Sequence, residues 1–92
     1  MSTTILWGSL HSTGSKNKGA GFSTKREGPG EYKVTFNRPL DEIPVVVVTP
    51  GDESVYGTVP TVKKEYFIAA MRRRSDGGKN DAKFSFIAVG AN

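Results

Sequence analysis

The chain contains no cysteine and only one histidine and one tryptophan. Each scarcity removes a class of chemistry. Without cysteine there is no thiol catalysis, no CxxC redox pair, no cysteine-ligated zinc and no disulfide framework. The compartment stays open, because cysteine-free domains work on both sides of a membrane. A lone histidine cannot hold zinc unless several carboxylates join it. Long apolar runs are also missing: the longest, Val45 to Val48, is far too short to span a bilayer. The first ten residues hold Ile5, Leu6, Trp7 and Leu10, broken by Gly8 and Ser9 and preceded by no basic region, which is not the pattern of a secretory signal. If such a protein acts outside the cell that made it, it leaves as part of a virion or other particle, by lysis, or by a route this sequence does not encode. Convincing 3.6-residue periodicity is absent too. Helix is the minority reading even for Val62 to Arg74, which starts with β-branched and aromatic residues and lacks an N-cap with an acidic first turn.

The chain has 92 residues, read as a single domain spanning 1–92. A domain of this size buries roughly 60–65% of the surface of its unfolded chain. With no disulfide to help, self-association is the natural way to bury more. The net charge of +4 is split evenly between the two halves, about +2 each, which excludes a dedicated basic arm. A solvated basic surface explains it more simply than a polyanion partner.

What is present is the two-residue period of strands. Tyr32, Val34 and Phe36 alternate with Lys33, Thr35 and Asn37; Phe67, Ala69 and Met71 with Tyr66, Ile68 and Ala70; Phe84, Phe86 and Ala88 with Ser85, Ile87 and Val89. The last two segments are partly apolar on both faces, the mark of central strands or of strands that meet a second chain. Gly28-Pro29-Gly30, Pro39 to Pro44, Pro50 to Ser54 and Ser75 to Asp81 punctuate these runs as turns and loops. Six or seven strands result, near 3–10, 20–26, 31–37, 44–49, 55–62, 65–73 and 83–89. The expected fold is an all-β, six- to seven-stranded antiparallel β-sandwich or small barrel. His11 to Gly19 has no apolar anchor and reads as a long hairpin loop or a mobile one.

Catalytic constellations are not assembled by these residues, so no enzymatic activity, cofactor or metal is expected. His11 sits in a Ser/Thr/Gly/Lys-rich loop, a poor place to fix an imidazole. Asp41-Glu42 and Asp52-Glu53 are adjacent loop carboxylates whose turn preference explains them without acid–base chemistry. No Asp-x-Asp-x-Asp-Gly run supports calcium. The glycine pairs lack the strand–loop–helix context of a phosphate loop. Arg72-Arg73-Arg74 is the sharpest charge feature. On a strand Arg72 and Arg74 share a face, and their planar forks suit a carboxylate, phosphate or sugar. Charge protection of an edge strand explains them equally well. Asp76 and its polar loop place acceptors beside these donors. Tyr56 and Trp7 are aromatics that can stack on a sugar ring, with core or subunit packing the simpler fate of Trp7.

Gly21-Phe22-Ser23, Gly30-Glu31-Tyr32-Lys33-Val34-Thr35-Phe36, Pro44-Val45-Val46-Val47-Val48 and Phe84-Ser85-Phe86-Ile87-Ala88-Val89-Gly90 together resemble small β-sandwich domains at the ends of phage tail fibres and of collagen-like surface proteins. The second half is similar to H-type lectins, with Phe86 where those lectins often carry tryptophan. The resemblance implies a trimeric sandwich that binds carbohydrate or a cell-surface receptor. It also implies a sugar site with an acidic residue after the Pro-Val strand, here Asp52 or Glu53, and an arginine, here Arg72 or Arg74. The leading expectation is therefore a lectin-like homotrimer binding a glycan or receptor through Asp52, Glu53, Tyr56, Arg72, Arg74 and Asp76. A trimerising tip without a ligand is the alternative. Nucleic acid ranks last, for want of interleaved aromatic and basic positions, and no membrane insertion is expected.

Overall fold

A computed structural model describes residues 2–91. Its described residues form eight strands and no helix: β1 (Thr3–Leu10), β2 (Lys16–Gly19), β3 (Phe22–Gly28), β4 (Glu31–Phe36), β5 (Val45–Pro50), β6 (Val55–Val62), β7 (Tyr66–Arg73) and β8 (Phe84–Ala91). They make two four-stranded sheets, ordered β2-β1-β8-β5 and β3-β4-β7-β6, and every pair is antiparallel.

Alternation decides which side chains meet between the sheets. Leu10, Phe84, Phe86 and Ala88 from the first sheet share one buried cluster with Phe22, Tyr32, Val34, Phe36, Phe67, Ala69 and Met71 from the second. Phe86 is the joint. Its ring meets Phe22 at 5.0 Å and Phe67 at 5.1 Å, both edge to face, the arrangement favoured by aromatic quadrupoles. Gly8 makes room for this contact, since a Cβ there would lie 2.4 Å from the Phe22 ring.

Expectation and structure part in three places. Lys16 to Gly19, read as loop, is a strand: its backbone pairs with β1, and a short edge strand needs no apolar side chain to do so. The count is consequently eight strands rather than six or seven. The stretch Val62 to Arg74, by contrast, follows its strand reading: it contains the end of β6 and all of β7, with no helical turn. The β7 arginines do not guard a sheet edge, because β7 lies between β4 and β6, and beyond β4 its flank is covered by a bridge from Arg72 to Lys79. Trp7 is not in the core; it is 58% exposed.

That exposure belongs to a wider pattern. Ile5, Trp7, Ile43, Val45, Val47, Ile87 and Val89 are the exposed large hydrophobics among the described residues. Six lie at outward positions of β1, β8 and β5, and Ile43 lies two residues before β5 begins. Register aligns them in cross-strand rows: Ile5–Val89–Val45, then Trp7–Ile87–Val47, then the polar row Ser9–Ser85–Thr49.

Candidate functional site

Antiparallel pairing gathers four connections at one end of the molecule. β1 ends at Leu10 beside Phe84, where β8 begins, and β5 ends at Pro50 on the other flank of Phe84. β6 begins at Val55 opposite Arg73, where β7 ends. The 11–15, 29–30, 51–54 and 74–83 connections therefore adjoin one another, while Thr3 and Ala91 pair at the far end.

Asp81 ties this end together. Its carboxylate accepts from Arg26 Nε at 3.0 and 3.1 Å and from the Gly30 amide at 2.7 Å, and it forms an ion pair with the Arg26 fork at 2.9 Å. The Tyr32 hydroxyl beside it donates to the Ser12 carbonyl at 2.7 Å and accepts from the Ala82 amide at 3.2 Å. The 11–15 and 74–83 connections are thus pinned to the start of β4 and to the 29–30 turn that precedes it. Hydrogen bonds from Arg26, then from the Gly30 amide, hold the Asp81 carboxyl below the usual carboxylate range, whereas burial pushes the Tyr32 phenol up. Gly30 sits at φ +67°, and a Cβ there would lie 2.6 Å from the Met71 carbonyl. Only glycine fits where the 74–83 loop crosses this turn.

The residues expected to bind a ligand fall into neighbouring groups at this end. Asp52 accepts from the Ser54 amide at 2.9 Å and the Ser54 hydroxyl at 2.7 Å, and these bonds lower its pKa. Arg74 lies just past β7 and donates through Nε to the Glu53 carbonyl at 2.8 Å, which leaves the rest of its fork facing solvent. Tyr56 and Arg72 are cross-strand partners on the outer side of the second sheet. Arg72 donates to the Gly77 carbonyl at 2.9 Å. Asp76 accepts from Arg73 Nε at 3.0 Å and the Gly78 amide at 2.8 Å, and it too is lowered, by Arg73 first. The three arginines therefore brace loops with part of their hydrogen-bonding capacity.

Between these loops runs an open groove of about 560 Å³ lined by His11, Ser12, Asp52, Glu53, Asp81 and Lys83, among others. A second cleft of about 260 Å³ shares His11, Gly51 and Lys83 and extends to Ser9 and Ser85. Asp52 and Glu53 line the groove; Tyr56, Arg72, Arg74 and Asp76 do not. The groove combines carboxylate acceptors with ammonium and hydroxyl groups and has little apolar depth. Such a surface offers hydrogen-bonding and charged contacts rather than an enclosed apolar pocket. Among the described residues no cluster of three His, Asp or Glu side chains is placed to hold a metal ion.

Sequence reasoning missed Asp81, Arg26 and the Tyr32 hydroxyl, whose partners lie about 50 positions apart in the chain. The nearest signal was the polar composition of the loop ending at Asp81. It also missed the extent of the bare apolar face, although the two-sided strand at 84–89 pointed to it. Neither a family model nor a curated protein matches the chain.

Proposed function

We propose that this protein is a lectin-like recognition module: a β-sandwich that binds a glycan or cell-surface receptor through its loop end and works as a homotrimer. The observation that carries the reading is the open polar groove, built by connections from both sheets and braced from below by Asp81. Its wide mouth admits a branched or polymeric ligand. Its mixture of Asp52, Glu53 and Lys83 offers both acceptors and a donor to hydroxyl groups. The similarity of the second half to H-type lectins supports the same end of the molecule, through the acidic pair that follows the valine strand. Tyr56 and Arg72, half-buried side by side, supply a flat aromatic and a guanidinium for the flank of an extended ligand. Single sites of this shallow kind bind weakly, and repetition in an oligomer raises avidity by roughly 10²–10⁴ where the geometry permits.

The test is binding of the intact chain to a glycan array and to cell surfaces. Asp52→Ala and Glu53→Ala abolish the signal while circular dichroism stays that of the parent. Arg72→Ala reduces it if the ligand reaches the flank. Blank arrays and blank cells with a well-folded oligomer overturn the ligand reading. They favour the second one, a trimerising tip without a ligand, for which the uncovered apolar face of the first sheet speaks directly.

A further inference from the structure

We infer that copies of this chain join through the outer face of the first sheet, with Trp7 near the centre of the contact. The inference deepens the oligomeric part of the proposed function and is independent of what the groove binds. All seven exposed large hydrophobics among the described residues lie on or beside this face, at exposures from 37% for Val89 to 72% for Val45. Taken with ordinary residue areas of roughly 150–250 Å², those fractions leave on the order of 700 Å² of apolar surface in one place. That exceeds the few hundred Å² usual on a monomer. It approaches the roughly 800 Å² that each partner contributes to a stable interface.

Charge identifies the occupant as another copy. The chain carries +4, so two copies repel wherever their lysines and arginines come together. The outward positions of β1, β8 and β5 carry no charge, and Lys18 of β2 stands at the margin opposite Ser9, so contact centred on the apolar rows keeps cations at its rim. A lysine at the margin gives an acidic polymer or an anionic surface little to grip across the apolar rows. Apolar residues occupy its middle, and Ser9, Ser85 and Thr49 close it toward the loops, the apolar centre and polar rim of an interface. Trp7 stands beside Ile87 and Lys18 along a cleft of about 340 Å³, into which a neighbour's side chain fits.

Edge-to-edge joining is blocked, which leaves the face. β5 is bracketed by Pro44 and Pro50, and β6 carries Pro60 at a register shift between Thr58 and Thr61. β2 is only four residues long with two lysines, and β3 presents Lys25, Arg26 and Glu27. All four edge strands therefore carry devices that discourage pairing with another sheet.

Light scattering and sedimentation of the intact chain test this directly. The parent protein has a mass that is a multiple of 9.9 kDa. Trp7→Glu and Val47→Lys, each with an unchanged β spectrum, weaken association by roughly tenfold or more. Lys33→Glu, on the outer side of the other sheet, leaves the mass alone. Trp7 is the only tryptophan, so the parent also reports without mutation: its emission shifts to the red on dilution as the ring becomes wet. A parent that is monomeric at every concentration, variants that keep the parental mass, or a monomer that sediments with phosphatidylcholine vesicles through Trp7 each overturn the inference. Glycan binding by a monomer sinks this inference alone; a blank array with a Trp7-dependent oligomer sinks only the ligand reading.

Discussion

The outer faces of the two sheets share a strand geometry and differ in chemistry. On the first sheet the rows through Ile5 and Trp7 are wholly apolar and open to solvent. On the second sheet the rows read Lys25–Lys33–Ile68–Thr61 and Ser23–Thr35–Tyr66, and apolar area that reaches the surface there is roofed by cations. Lys33 Nζ lies 4.3 Å from the Tyr66 ring centre and Lys63 Nζ at 6.0 Å. Long charged side chains cover apolar surface with their stems while the ammonium groups stay wet. Lys33 and Lys25 face each other across the strands, a like-charge pair that costs stability. Each has relief: Lys33 over Tyr66, and Lys25 with Glu27 at 3.9 Å. The second face is thus closed by the chain itself. On the first sheet Lys18 of β2 stands opposite Ser9 and lines the Trp7 cleft at its loop-side margin, yet the rows through Ile5 and Trp7 stay open to solvent.

The comparison breaks most completely if the shared core fails. Phe86→Ala removes the ring that Phe22 and Phe67 both contact, and a cost of about 3–5 kcal/mol follows from the lost burial and the cavity. Thermal melts then fall by roughly 4–8 °C for each kcal/mol, and both faces lose their order together.

A smaller change separates the loop end from the faces. Asp81→Asn leaves the strands but weakens the link from Arg26 and Gly30 to the 74–83 loop, at a cost of about 1–2 kcal/mol because the pair is partly solvated. Amide exchange should quicken in residues 74–83 and in the Gly28–Glu31 turn, with the outer face of the first sheet unaffected. The same residue sets a pH dependence. The Asp81 carboxyl is held below its ordinary range by Arg26 and the Gly30 amide. Its stabilisation is therefore complete above the unfolded value of about 3.9 and is lost as the pH falls through the lower, folded-state value. Denaturant midpoints recorded from pH 6 down to pH 2 should show a shallower acid slope in Asp81→Asn than in the parent.

The smallest effect belongs to the charged face. Lys79 and Glu31 form an ion pair across the loop end, both partly exposed, and Glu31→Gln should cost at most about 1 kcal/mol. The loss should shrink further in high salt. Association of the first face should instead persist in salt, because its two central rows contain no charge to screen.

Much of the architecture was legible from residue order. Tyr32, Val34 and Phe36, then Phe67, Ala69 and Met71, then Phe84, Phe86 and Ala88 all face inward as their alternation indicates, and β1 and β6 run over the ranges read from the sequence. β2 escaped because a strand held by backbone pairing leaves no apolar trace. The acidic pair at 52–53 was visible as a loop feature, but its place on a groove with His11 and Lys83 was not, since those residues meet only after three connections converge.

Side-chain period and turn residues, acting over a few neighbours, were enough to determine that this polypeptide is built of antiparallel strands, with no cysteine chemistry. Which sheet has the bare outer face, which arginine braces which loop, and that Asp81 bridges residues far away in the chain were decided only by tertiary structure. Local steric and hydropathic preferences act within a strand or turn, whereas sheet order and the pairing of distant polar groups arise when the whole core closes at once.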